Sequence, residues 1–130
     1  MRVLVDTNIL FSALLFPNSK TARALLHVSD NHEMVLCDRN ITELRDIIRR
    51  KAPQALPDAE ALLAEMAYEL IPAIYRADKL IRDVKDQPIL NAAILSDVDV
   101  ILTGDKDFLS LDMEHPRCMT DSQFLEMEGI

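Results

Sequence analysis

Four acidic residues occupy positions from which they could form one cation-binding site: Asp6, Glu43, Asp86 and Asp105. Asp6 and Asp105 each follow a short, largely apolar run, whereas Glu43 and Asp86 fall near the starts of two helical patterns. Two carboxylates about 4 Å apart repel each other by roughly 4 kcal/mol at an effective dielectric constant near 20. A pocket that held all four would therefore either take up protons or bind a metal ion. Ligands that are all oxygen atoms favour Mg²⁺ or Mn²⁺.

Each of these acids also has an ordinary structural role open to it. Asp6 and Asp105 would each cap the helix that follows its strand. Asp86 precedes Gln87-Pro88, a pattern typical of a helix that starts with proline in its first turn. Glu43 lies at the edge of a buried helical stripe, which directs it towards the sheet. All four are predicted at the carboxyl edge of the sheet, where open α/β proteins bind ligands, and this shared placement favours a common site.

Further polar residues lie next to these acids along the chain and are candidates for supporting roles. Asp107, two residues after Asp105, is a fifth candidate metal ligand, either directly or through water. Asn8 could hydrogen-bond a carboxylate that binds the metal. The remaining candidates for contacts with water or phosphate oxygens are Thr7, Thr103, Lys85 and Lys106.

Basic residues follow Glu43 on the same predicted helix, and Arg45 and Arg49 share one of its faces. This pattern is typical of a solvated helix surface. It is also compatible with contacts to a phosphate backbone that approaches the acidic site. The sequence leaves both readings open.

Composition predicts one compact domain over residues 1–130, large enough to bury a core. The formal net charge of −8 argues against a basic nucleic-acid clamp, although bound divalent ions could offset the acidic cluster. Cys37 and Cys118 have no partner at metal-ligand spacing, so we expect reduced, packed thiols. The early Asp6 argues against a signal peptide, and no apolar run reaches the roughly 18–20 residues of a membrane span. We therefore expect a cytoplasmic protein.

Strand patterns alternate with helical patterns, which predicts a three-layer α/β/α fold with a central, mainly parallel sheet of four to five strands. The predicted strands are Arg2–Val5, Glu33–Cys37, Leu70–Ile74, Val98–Leu102 and Arg117–Met119. Helices are predicted over about 7–15, 20–31, 57–69, 87–96, 107–111 and 122–127, and another contains residues 41–48 and ends near 51. A charged segment over residues 76–85 leads into the helix that follows Asp86.

The motifs around the four acids resemble those of PIN domains. These motifs are Asp6-Thr7-Asn8 at the end of the first strand, Glu43 within residues 41–44, Asp86 within residues 83–93, and Thr103-Gly104-Asp105-Lys106-Asp107-Phe108. The resemblance covers essentially the whole chain and is greatest to VapC-like toxins of toxin–antitoxin systems. It implies a Mg²⁺- or Mn²⁺-dependent endoribonuclease that forms a homodimer and is inhibited by an antitoxin protein. It also assigns catalytic and metal-binding roles to Asp6, Glu43, Asp86 and Asp105.

Two other classes of function compete with this reading. A phosphatase or receiver domain that forms an aspartyl phosphate is disfavoured, because the phosphatase needs a second aspartate two residues after Asp6, where this chain has Asn8. A non-catalytic PIN-fold module could instead use the acidic mouth to bind a basic partner. The histidines His27, His32 and His115 are predicted to lie on the surface, away from the chemistry.

Overall fold

The computed structural model describes residues 1–75 and 86–130. Within these ranges the backbone forms a five-stranded sheet in the order β3-β2-β1-β4-β5, and every neighbouring pair of strands is parallel. The strands are β1 (Arg2–Val5), β2 (Glu33–Cys37), β3 (Glu69–Ile71), β4 (Val100–Leu102) and β5 (Arg117–Met119).

Helices connect these strands and cover both faces of the sheet. They are α1 (Thr7–Leu15), α2 (Lys20–Asn31), α3 (Asp38–Lys51), α4 (Leu56–Glu65), α5 (Gln87–Leu95), α6 (Lys106–Leu109) and α7 (Asp121–Glu128), with a short 3-10 turn at Pro53–Ala55. No helix within the described ranges has the length and apolar character needed to cross a membrane.

Alternation of side chains along the strands divides the core into two layers. Val3 and Val5 of β1 face one cluster, which includes residues of α1, α2, α3, α4 and α7. Leu4 faces the other cluster, which is formed mainly by α5 together with Phe108 of α6. The predicted three-layer α/β/α architecture with a parallel sheet is therefore confirmed. The central strands β1 and β4 are largely buried and apolar because both faces of the sheet are covered there, whereas the edge strands β3 and β5 expose Glu69, Leu70 and Arg117.

The connection between α4 and β3 differs from the sequence prediction. The predicted helix runs to Glu69, but α4 ends at Glu65, and Glu69 is the first residue of β3, where it pairs with Val35. The pairing of Glu69 with β2 therefore outweighs the helix propensity of the residues before it. The predicted strand to Ile74 ends at Ile71, because Pro72 has no backbone N–H to donate to a neighbouring strand.

Other element boundaries differ by small amounts. β4 is two residues shorter than predicted at its start, and α7 is longer by one residue at each end. The earlier start of α7 follows from a capping box, in which the Thr120 hydroxyl accepts the Gln123 N–H and the Gln123 side chain accepts the Thr120 N–H. The predicted charged segment over residues 76–85, which includes Lys85, lies outside the described residues.

The cysteines are free thiols, as predicted. Cys37 is buried at the end of β2, and Cys118 is partly buried in β5. Burial raises the pKa of each thiol to about 11. Because the thiolate is the reactive form, neither thiol is suited to nucleophilic chemistry at neutral pH.

The prediction that all three histidines lie on the surface is wrong for two of them. The side chains of His27 and His32 are only 18% and 13% exposed, and both contact the carboxylate of Glu128. Phe124 of α7, a fully buried core residue, packs edge-on against both imidazole rings. His115 is half exposed, and its ring contacts the carboxylate of Asp97.

Candidate active site

Asp6 occupies the junction between β1 and α1, at the carboxyl edge of the sheet. Asp6 is buried, with only 6% of its surface exposed. Its Oδ1 accepts hydrogen bonds from the Thr7 N–H at 2.8 Å and the Asn40 side-chain amide at 3.2 Å. Its Oδ2 accepts a hydrogen bond from the Thr103 hydroxyl at 2.7 Å. The carboxylate thus caps α1 and also ties together three separate segments of the chain.

Burial raises the pKa of Asp6 above its ordinary value, and the nearby charges of Asp105 and Glu43 raise it further. Hydrogen bonds from Thr103 and Thr7 oppose this shift but do not cancel it. Ionisation of Asp6 is therefore less favourable in the folded protein than in the unfolded chain. A cation beside Asp6 would reverse this effect, because it stabilises the charged form.

Asp105 and Asp107 project from the start of α6, on the loop that leaves β4. One oxygen from each of Asp86, Asp105 and Asp107 lies within 4.8 Å of the others, and these residues form a group that could hold a metal ion. Asp105 Oδ1 accepts the Asp107 N–H at 2.9 Å, so Asp105 also caps α6. Its predicted capping role and its place in the acidic cluster are compatible.

Thr103 links the two parts of this cluster. Its hydroxyl donates to Asp6 Oδ2 and accepts the Asp105 N–H at 3.0 Å. The side chain is fully buried, so its hydrogen bonds are not exchanged with water. Thr103 therefore sets the distance between the end of β1 and the loop after β4.

Glu43 approaches the cluster from α3. Its Oε1 accepts a hydrogen bond from Arg39 Nε at 3.0 Å, and its Oε2 lies 3.4 Å from the Thr7 hydroxyl. Glu43 and Asp86 line one surface pocket of about 330 Å³, together with Thr7, Arg39, Asp46, Ile47 and Arg50. The four acids predicted from the sequence therefore border one continuous region: Asp86 borders this pocket and contributes an oxygen to the group with Asp105.

The supporting residues occupy different positions from one another. The side-chain oxygen of Asn8 accepts the backbone N–H of Gly104 at 3.3 Å and so holds the loop after β4. A hydrogen bond from its NH₂ group to a carboxylate stays a prediction. Lys106 is exposed beside Asp105. Arg45 is paired with Glu60, at 2.7 Å from Nε, and Arg49 with Asp46 at 3.6 Å, as expected for a solvated helix surface.

The sequence interpretation missed Asn40, which is completely buried one turn before Glu43. Its Nδ2 donates to Asp6 Oδ1 and to the Thr7 hydroxyl at 3.1 Å, and its Oδ1 accepts the Cys37 N–H at 3.3 Å. A polar residue three positions before Glu43 on the buried face of the same helix was the available signal. Asn40 fixes the start of α3 against the end of β1.

Arg39 and Tyr75 were also missed. The Arg39 side chain lies between Glu43 and Tyr75, with its guanidinium carbon 6.0 Å from the centre of the tyrosine ring. Tyr75 is 69% exposed and lines a second pocket of about 370 Å³, which shares Arg39, Glu43 and Asp46 with the first. An exposed aromatic ring therefore lies beside the acidic site. The sequence did not predict this, because Tyr75 belongs to no helical or strand repeat that would indicate its position.

We expect Asn40→Leu to lower the free energy of unfolding by about 2–4 kcal/mol, because leucine of similar shape leaves several buried polar groups without partners. Denaturant unfolding monitored by circular dichroism measures this change. Asn18→Leu is the matched control, since Asn18 is exposed in the turn before α2 and its substitution should cost less than about 0.5 kcal/mol. Equal stability of the two variants would show that the Asn40 amide does not organise the site.

Comparison with known proteins agrees with this geometry. The sequence matches the PIN domain over residues 2–107, a range that contains all five acids discussed above. The chain belongs to the PIN domain family. No curated protein matches the sequence.

Solved structures share the fold at low sequence identity. A chain of VapBC2 from Rickettsia felis, crystallised with a DNA fragment from its promoter, has a TM-score of 0.69 and 16% identity, and the match covers 92% of this chain and 98% of that one. VapC20 from Mycobacterium tuberculosis, a toxin that cleaves the sarcin–ricin loop, has a TM-score of 0.61 and 11% identity over 88% of this chain and 99% of that one. These similarities establish the PIN-like fold.

Proposed function

We propose that this protein is a metal-dependent endoribonuclease that hydrolyses RNA phosphodiester bonds. The observation that carries the proposal is the convergence of acids at the carboxyl edge of the sheet: one oxygen from each of Asp86, Asp105 and Asp107 lies within 4.8 Å of the others. The buried Asp6 carboxylate is close enough to Asp105 and Glu43 for their charges to raise its pKa. A cation stabilises the ionised form of carboxylates that lie this close together. The donor set consists of oxygen atoms, which fits Mg²⁺ or Mn²⁺.

Asp6, Asp86 and Asp105 would hold the ion most directly, and Glu43 and Asp107 would complete its surroundings, in part through water. When bound, such an ion would lower the pKa of a water molecule and would stabilise negative charge on the phosphate oxygens. Thr103, Thr7 and Asn40 keep the Asp6 carboxylate oriented through their hydrogen bonds. Asn8 keeps the loop before Asp105 in place through Gly104.

The surroundings of the acids offer contacts for RNA. Arg50 lines the pocket that contains Glu43 and Asp86, and Lys106 stands exposed beside Asp105, so both can approach backbone phosphates. Lys85 has the same proposed role. The exposed Tyr75 ring provides a face on which an unpaired base could stack. A site of this shape suits single-stranded or looped RNA, whose backbone and bases are accessible.

The PIN-like fold shared with VapBC2 and VapC20 supports a role as the toxin of a toxin–antitoxin pair. In that role the protein would act in the cytoplasm, form a homodimer and be inhibited by a cognate antitoxin protein. Residues 1–130 would constitute the single PIN-like nuclease domain of this system. A non-catalytic PIN module remains the main competing function.

The test is cleavage of a fluorescently labelled, single-stranded RNA by purified protein after treatment with EDTA and after addition of Mn²⁺ or Mg²⁺. We expect cleavage to disappear with EDTA and to return when the metal is restored. Asp105→Asn, purified in parallel, is the control for contaminating nuclease. Mn²⁺ binding without any RNA cleavage would favour the non-catalytic module, and cleavage that persists in EDTA would contradict the metal-dependent mechanism.

A further inference from the structure

A second group of metal-binding side chains lies away from the acidic site. His27 is in α2, His32 follows the end of α2, and Glu128 is the last residue of α7. One ligand atom from each residue lies within 4.8 Å of the others. The three side chains are 18%, 13% and 18% exposed, respectively, so their polar ends are largely shielded from water.

Both imidazoles converge on the same carboxylate oxygen. His27 Nε2 lies 3.1 Å from Glu128 Oε1, and His32 Nε2 also contacts Oε1. The second nitrogen of each ring has a polar neighbour of its own: His27 Nδ1 lies 3.1 Å from the Asn31 amide, and His32 Nδ1 lies 3.2 Å from the Met1 amine. The Asn31 amide and the Met1 amine are both hydrogen-bond donors, so in the metal-free protein each Nδ1 accepts and each Nε2–H points towards Glu128 Oε1. Binding of an ion at the two Nε2 atoms would require the ring proton of each histidine to move to Nδ1.

The chemistry of these donors differs from that of the acidic site. Two imidazole nitrogens and one carboxylate oxygen form a donor set typical of zinc, with metal–ligand distances of about 2.0–2.2 Å. Neighbouring ligands at such distances in a tetrahedral site stand about 3.4 Å apart. The separation of 3.1 Å between His27 Nε2 and Glu128 Oε1 is close to this value. Small side-chain rotations would open the group enough to admit an ion.

This group of side chains also lies far from the proposed catalytic site. His32 immediately precedes β2, so it lies at the amino edge of the sheet, whereas Asp6 follows β1 at the carboxyl edge. Residues 1 and 6 span β1 and stand roughly 16 Å apart at the rise of an extended strand. An ion at the amino edge would therefore not replace the one proposed at the acidic cluster.

We propose that His27, His32 and Glu128 form a binding site for Zn²⁺ or a similar transition-metal ion, with water as the fourth ligand. The ion would join the C-terminal end of α7 to the end of α2, two helices that pack against each other. Because this group lies at the edge opposite the pocket lined by Glu43 and Asp86, we expect a bound ion to change the stability of the protein and not the chemistry at that pocket. Phe124, which contacts both imidazoles, closes the site towards the core.

The test is titration of metal-free, full-length protein with Co²⁺, followed by visible absorption, and with Zn²⁺, followed by calorimetry and thermal unfolding. Tetrahedral Co²⁺ with nitrogen ligands absorbs strongly, whereas Co²⁺ held by oxygen atoms in octahedral geometry absorbs weakly, so the spectrum distinguishes this site from the acidic cluster. We expect wild type to bind one equivalent with the tetrahedral spectrum and to unfold at higher temperature with Zn²⁺.

His32→Gln and His27→Gln are the decisive variants, because glutamine can still donate a hydrogen bond to Glu128 but is a poor zinc ligand. Each should lose the tetrahedral spectrum and bind Zn²⁺ at least about 10-fold more weakly, since even an outer-shell partner contributes this much. His115→Gln and Asp105→Asn should retain both properties. Circular dichroism of the metal-free variants verifies that they are folded. Wild type without the tetrahedral spectrum, or folded glutamine variants that keep it, would overturn the proposal.

Discussion

Asp6→Asn should lower the rate of RNA cleavage at least about 100-fold and, in the absence of metal, raise the thermal stability of the protein. A metal ion contributes several kcal/mol of transition-state stabilisation, and about 1.4 kcal/mol corresponds to a tenfold change in rate. Loss of a central ligand therefore removes most of the activity. An increase in stability would be specific to this mechanism, because most substitutions of buried residues destabilise a protein.

Asparagine fits the hydrogen bonds that surround Asp6. Its side-chain oxygen can accept from the Thr7 N–H and the Asn40 amide, as Asp6 Oδ1 does. The Thr103 hydroxyl, which donates to Asp6 Oδ2 at 2.7 Å, would turn its hydrogen away and accept from the asparagine NH₂ group as well as from the Asp105 N–H. The substitution removes the cost of burying a charged carboxylate and the smaller repulsion from Asp105 and Glu43, so it should stabilise the metal-free protein.

This stability difference depends on pH in a definite direction. Because the pKa of Asp6 is raised in the folded protein, its stabilising contribution is present below its unfolded pKa and is lost as the pH rises through the folded value. The advantage of Asp6→Asn over wild type should therefore grow from acidic towards neutral pH and then level off. Added Mn²⁺ should stabilise wild type more than the variant.

Thermal unfolding between acidic and neutral pH, with Mn²⁺ and with EDTA, measures these effects. Asp30→Asn is the matched control, since Asp30 is exposed near the end of α2 at the opposite edge of the sheet. It should leave cleavage and the Mn²⁺ response unchanged. If Asp6→Asn were less stable than wild type in EDTA at neutral pH, the carboxylate would be serving mainly as a helix cap.

Asp105→Asn should also reduce cleavage at least about 100-fold, because Asp105 belongs to both parts of the acidic site. It contributes to the raised pKa of Asp6 and provides an oxygen to the group with Asp86 and Asp107. Asparagine can still accept the Asp107 N–H and so keep the cap of α6. The loss of activity should therefore occur without loss of the fold.

Asp107→Asn provides the informative comparison. Asp107 is in the first turn of α6, and no hydrogen bond joins it to Asp6 among the contacts of the described residues, so its substitution should reduce cleavage less than that of Asp105. Initial rates at several Mn²⁺ concentrations separate weakened metal binding from slower chemistry. Equal effects of the two substitutions would place the ion closer to α6 than to β1 and would require a different ligand set.

The sequence was sufficient to predict the layers of the fold and the edge at which the acids lie. Apolar runs of the central strands and alternation with helices predicted the parallel sheet. Asp6 directly follows β1, and Asp105 lies three residues after the end of β4. The end of α4 could not be predicted from local pattern, because pairing of Glu69 with Val35 on β2 depends on distant residues. Helix propensity alone extends that helix too far.

Local sequence patterns also could not predict side chains whose contacts are with residues far away in the chain. Asn40 joins Asp6 across 34 positions in the chain, and His32 meets Glu128 across 96 positions. A polar residue on a buried helical face hinted at the first contact. Nothing in the spacing of His27, His32 and Glu128 indicated the second, because their meeting depends on how α7 packs against α2.

The most direct test of the central claim is the anomalous diffraction of Mn²⁺ in crystals of the wild-type protein. We predict a peak at the carboxyl edge of the sheet, within direct or water-mediated reach of Asp6, Asp86 and Asp105. Crystals of Asp105→Asn grown under the same conditions should show a weaker peak or none. Clear Mn²⁺ density elsewhere on the molecule, with none beside these three carboxylates, would contradict the proposed site.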